Sequence, residues 1–130
     1  MARKAITTEA AVVVGPYSPG VQAGKFVFLS GQTPMDPATG ILMAGDVGAQ
    51  TAQCFKNLAA VLKAAGLSLD HVVKVNVFLT DMNDFETMNA VYETQFRRPF
   101  PARSTIGVAA LPKGARIEIE LIARVPSHGH

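Results

Sequence analysis

"HVVKVNVFLT", His71 to Thr80, is the stretch on which the fold turns. Alternation puts Val73, Val75, Val77 and Leu79 on one side of this strand, with Val72 and Phe78 on the other. A strand with water on one side would be polar there. Here both sides carry apolar bulk. "FVFLS" repeats the pattern, with Phe26 and Phe28 opposing Val27 and Leu29. Both faces of the sheet therefore need cover.

Two helices supply it for one face. Cys54, Leu58, Val61, Leu62 and Ala65 share a helical stripe. Asp46 as N-cap and Gly66 as the glycine past the end bracket a helix over roughly 47–65. A second stripe runs through Phe85, Met88, Tyr92 and Phe96, with Asp84 placed to cap it and Pro99 and Pro101 to stop it. Before the first helix, Gly24 marks a turn into the strand "KFVFLSG" (25–31). "VQA" is expected to pair with an earlier strand near "ITT", and "DPATG" (36–40) is a loop. "STIGVAAL" and "ARIEIELIARV" read as two strands joined by a turn at "PKGA". The predicted order is β-β-α-β-α-β-β, an α+β protein. Each strand–helix–strand passage is long enough for a parallel, right-handed crossover, which puts both helices on one face. The uncovered apolar face predicts a homo-oligomer packed sheet against sheet.

The bulk properties agree. A chain of 130 residues, 48% hydrophobic and 17% charged, suits one ordered domain. A net charge of +2 does not by itself call for nucleic acid or membrane. Cys54 is the lone cysteine, so no internal disulfide forms. No run approaches a membrane span, and "MARKAITTEA" lacks a signal-peptide core. The expectation is a cytoplasmic protein with one domain over 1–125 and a mobile tail, "PSHGH", over 126–130.

"RRPFPARST" (97–105) holds the first candidate for chemistry. Pro101 aims the chain, and Arg103 enters a strand, where a guanidinium matches a carboxylate as a bidentate fork. An arbitrary arginine at a strand end is more often half of a structural ion pair. Arg97 and Arg98 end a helix, where positive charge suits the dipole. In "RIEIELIAR", Glu118 and Glu120 project opposite Ile117, Ile119 and Leu121. A plain surface sheet would show this too, but a carboxylate dehydrated at an oligomer contact becomes an acid/base candidate. Neighbouring positions on the terminal hairpin, or across a subunit boundary, would bring Glu118 near Arg103; the pattern does not fix that register. Tyr17 in "GPYS" is a loop plug or a pocket wall. Ser30 and Gly31 end a strand, where hydroxyl and N–H can face a ligand. Asn89 lies beside buried Met88 and needs hydrogen-bond partners. His71, His128 and His130 show no metal spacing, and Cys54 reads as core. There is no phosphate-binding or dinucleotide-binding glycine loop.

"GPYS", "FLSGQTP", "DVGAQTAQCFKNLAAVLKAAG", "VVKVNVFLTDMNDFETMNAVYETQF" and "PARSTIGVAALPKGARIEIELIA" together resemble the Rid family of reactive-intermediate deaminases, also called YjgF-type. The similarity spans about residues 4–125 and is nearest to the RidA-like group, since the arginine of "PARS" is present. The resemblance implies a chorismate-mutase-like fold and a homotrimer whose sheets form a central barrel, with active sites between subunits. It implies hydrolysis of 2-iminoacids, or enamines such as 2-aminoacrylate, to 2-oxoacids and ammonia, without cofactor or metal. Arg103 would grip the substrate carboxylate and Glu118 would activate water. Tyr17, Ser30 and Gly31 would line the pocket. Asn89 would add a polar contact from the neighbouring subunit's side. Thr105 stands where some members carry cysteine, and its backbone N–H would still meet the carboxylate.

Two rivals stand beside this reading. An endoribonuclease or translation inhibitor would rest on Arg97, Arg98, Arg103 and a pI of 8.9. The chain has no tryptophan, no interleaved aromatic and basic patch and no histidine pair for RNA cleavage. A non-catalytic small-ligand or chaperone-like trimer is the other.

Overall fold

The computed structural model describes residues 2–127. Strands β1 (Lys4–Ile6), β2 (Gly20–Ala23) and β3 (Phe26–Gln32) precede a small hairpin, β4 (Met35–Asp36) and β5 (Ile41–Leu42). Helix α1 (Val47–Ala64), β6 (Val72–Leu79), α2 (Phe85–Gln95), β7 (Ala102–Gly107) and β8 (Ile117–Arg124) follow. The main sheet has the order β1-β2-β3-β8-β6-β7, antiparallel except for the pair β6–β7. This is the expected α+β mixed sheet with two helices on one face. "VQA" and the strand near "ITT" do pair, as β2 and β1.

The terminal hairpin does not form. β8 inserts between β3 and β6, and β7 pairs with β6 alone, as an edge strand. Burial explains the choice. Ile117, Ile119, Leu121 and Ala123 are all at most 2% exposed, so β8 needs the middle of the sheet. β7 offers only Arg103 and Thr105 to the helix side, both half-buried.

The faces of β6 differ from simple alternation in one place. A register shift between Val72 and Lys74 leaves Val73 unpaired and 41% exposed, while Val72 joins Val75, Val77 and Leu79 under the helices. β3 alternates as read: Val27 and Leu29 are buried, Phe26 and Phe28 exposed. Phe26, Phe28 and Ile106 thus leave an apolar, uncovered sheet face.

Helix α1 begins as predicted, with Asp46 Oδ1 accepting from the Ala49 N–H at 2.9 Å. It ends before Gly66, whose φ of 75° lies in the left-handed region. Asp84 does not cap α2. A 3₁₀ turn over Met82–Asp84, capped by Asp81, leads into the helix. Asp84 instead accepts two bonds from Arg116, at 2.8 and 2.9 Å. "DPATG" is the loop of the β4–β5 hairpin, closed by Asp36 Oδ1 on the Ala38 N–H. Pro126 and Ser127 are exposed and irregular; the rest of the expected tail, with His128 and His130, lies outside the described residues.

Candidate active site

Helix α2 and the edge strand β7 build one hollow. Arg103 projects to the helix side, and its Nη1 donates to Asn89 Oδ1 at 2.7 Å. The guanidinium carbon sits 4.6 Å from the Tyr92 ring centroid and 5.7 Å from that of Phe85. Phe100 and Pro101 complete a space of about 360 Å³. Among the described residues the ion pairs are Arg97–Asp70 and Arg116–Asp84, and neither involves Arg103. Its guanidinium is therefore not held in an ion pair. Asn89 finds in Arg103 the hydrogen-bond partner its position demanded. Two buried hydroxyls have no partner among the described residues, Tyr92 Oη in this hollow and Thr105 Oγ1 further along β7. Burial raises the Tyr92 pKa, outweighing the opposite pull of Arg103.

The second cleft lies at one end of the sheet, around Glu118. Tyr17, Gly31, Gln32, Thr33, Met35 and Lys113 line this cleft with Glu118. Gly31 is there because nothing larger fits: a Cβ on it would stand 2.5 Å from Glu118 Oε2. The pairing of β3 with β8 shifts register between Leu29 and Gln32, which brings Gly31 under that side chain. Burial, and then the like charge of Glu120, hold the Glu118 carboxyl above its ordinary pKa. Glu120 is fixed by Asn76, whose Nδ2 donates to Oε2 at 3.0 Å. Tyr17 is 41% exposed and forms a wall of the cleft, its oxygen accepting from the Val14 N–H at 3.4 Å.

Ser30 is already engaged. Its hydroxyl donates to the Ser18 carbonyl at 2.7 Å and its N–H to that of Pro19 at 3.0 Å, so it secures the Tyr17 loop. Cys54 donates to the Gln32 carbonyl at 3.2 Å, and burial first, then Glu118, push its thiol far above the normal range. It is core, as the stripe implied. Arg97 binds Asp70, and Arg98 lies 5.2 Å over the Phe100 ring. The sequence does not single out Tyr92 and Phe85 as the support beneath Arg103, or Lys113 as a lining residue of the Glu118 cleft. Tyr92 was visible on the α2 stripe, but a stripe residue reads as core.

Register separates the two clefts within a chain. Arg103 stands opposite Val75, on the helix side. Glu118 stands opposite Phe78, which stands opposite Ile106, on the uncovered side. Two strand spacings, about 10 Å, and the thickness of the sheet lie between the residues. One small substrate cannot touch both in a single copy.

Fold and site thus define an α+β protein with an anion-ready guanidinium and a half-buried acid on opposite sheet faces. The family model described as Endoribonuclease L-PSP matches residues 7–125. The chain is 52% identical over 126 residues to Protein DfrA of Myxococcus xanthus, across 95% of this chain and 96% of that one. It is 49% identical over 122 residues to the 2-iminobutanoate/2-iminopropanoate deaminase of Mus musculus, across 93% and 90%. The crystal structure of E. coli TdcF with bound serine matches with a TM-score of 0.90 at 44% identity, covering 95% and 99%. The chain belongs to this family, the Rid family.

Proposed function

We propose that the protein hydrolyses 2-iminoacids, and enamines that tautomerise to them, to 2-oxoacids and ammonia, as the name of the mouse relative suggests. The observation that carries this is the unpaired Arg103 guanidinium in a hollow sized for a small carboxylate. Arg103 of one copy binds the carboxylate. Glu118 of another copy takes a proton from a water that adds to the C=N carbon. The resulting carbinolamine receives that proton on nitrogen; the Glu118 carboxylate then takes the hydroxyl proton as the C–N bond breaks, expelling ammonia and leaving the carbonyl. Tyr17 walls the cleft, Gly31 admits the Glu118 carboxylate, and the Thr105 N–H supports the bound carboxylate.

The separation of the two clefts and the bare apolar face support a site between protomers, in a homotrimer whose sheets line a common interior. Among the described residues no helix is long and apolar enough to cross a membrane, which is compatible with a cytoplasmic role. Of the three arginines on which an RNA-cleaving role would rest, Arg97 pairs with Asp70, Arg98 lies over Phe100, and Arg103 is turned into the hollow beside Asn89.

The test generates 2-iminobutanoate from threonine with a threonine dehydratase and traps it with semicarbazide. Catalytic amounts of the protein should hasten loss of the imine. An unchanged rate would overturn the proposal.

A further inference from the structure

We propose that Asn89 is a positioning residue whose neutral amide aims Arg103 while leaving its charge free for an anionic ligand, an inference that rests on the carboxylate-binding part of the proposed function. Each side of the guanidinium is accounted for. Nη1 is held by Asn89 Oδ1 at 2.7 Å. The Tyr92 and Phe85 rings lie within 5.7 Å of the guanidinium carbon. Among the described residues no other hydrogen bond engages the guanidinium, so its remaining N–H groups are left for the fork a carboxylate needs.

The contrast with the other arginines shows why an amide matters. Arg116 is held in a similar way, but by the carboxylate of Asp84, and Arg97 by that of Asp70. Those cations are neutralised. Helix α2 is not short of acids, for Glu93 lines the same hollow without pairing to Arg103. Asparagine is a weak helix former, so propensity does not explain it at this mid-helix place. Aspartate has the same shape and would accept the same bond, but it would add the charge that competes with the ligand.

The experiment measures binding of 2-oxobutanoate, a carboxylate that needs no turnover, by calorimetry. Asn89→Asp should weaken binding by about tenfold or more, and Asn89→Ala by less, with thermal unfolding of both near that of the parent protein. In an Arg103→Ala background, Asn89→Asp should add nothing. A merely structural role predicts the reverse ranking, because alanine removes a packed amide and aspartate keeps its shape. The inference is overturned if Asn89→Asp binds within about twofold of the parent, if alanine is the worse variant, or if the parent does not bind 2-oxobutanoate. Should Asn89→Asp not fold, the alanine variant decides: a few-fold loss that vanishes without Arg103 supports the inference, and no loss overturns it. A protein that shows this ranking but hydrolyses no imine keeps the inference and loses the proposed function.

Discussion

The Arg103 hollow and the Glu118 cleft are built by opposite means. In the first, a charge is kept exposed to a ligand by neutral supports: an amide and two rings. In the second, a charge is discouraged by half-burial and a neighbouring carboxylate. One is suited to hold an anion, the other to take up and release a proton more readily than an ordinary surface carboxylate. A carboxylate substrate beside an ionised glutamate would be repelled, and placing the two groups on opposite faces keeps them apart within one chain.

The largest effect should come from removing the hollow's charge. Arg103→Ala should cost about 2–5 kcal/mol in kcat/KM for 2-iminobutanoate while the oligomer survives sizing chromatography. Normal turnover would remove the hollow from the site.

Glu118→Gln should lower kcat by about 10² or more, and more than Glu120→Gln does. The reverse order would mean that the wrong acid has been chosen. The same variant should be more stable than the parent at neutral pH. The folded state binds the Glu118 proton more tightly than the unfolded state. Stability therefore falls as pH rises from the ordinary carboxylate pKa through the raised one, and glutamine removes that loss. Thermal unfolding from pH 4 to 8 checks the sign.

Gly31→Ala is a finer probe, because its methyl would collide with the Glu118 side chain from Oε2 to Cγ and must push that side chain aside. It should reduce kcat by about tenfold through displacement of the acid, with little change in melting temperature. Full activity would show that the carboxyl group has room to spare. Smallest of all, Glu120→Gln should move the acid limb of the kcat/KM profile to lower pH, since one like charge is gone.

The elements with local signals were legible. Asp46, the apolar stripe and Gly66 delimit α1 almost to the residue, because cap, packing face and stop agree. Asp84 misled because its side chain is drawn to Arg116, 32 positions away, which no local pattern reveals. The hairpin failed for a similar reason. A turn at "PKGA" is local evidence, but the buried face of β8 settles its neighbours, and the best-covered position is between β3 and β6. For the site, Arg103 and Glu118 stood out by proline bracing and by alternation. Their assignment to opposite faces needed the parallel pairing of β6 with β7. Asn89 was visible as a polar residue in need of a partner, and Ser30 as a strand-end hydroxyl. Only the folded chain reveals that the first accepts a bond from an arginine 14 positions away and the second anchors a loop.

Subunit complementation probes the two-copy site most directly. Arg103→Ala and Glu118→Ala chains, each inactive alone, are unfolded, mixed in equal amounts and refolded together. If every site takes its arginine from one copy and its glutamate from the next, about a quarter of the clefts in the mixed oligomers are intact, and activity returns to about that fraction. If both residues serve one chain, the mixture stays as inactive as its parts.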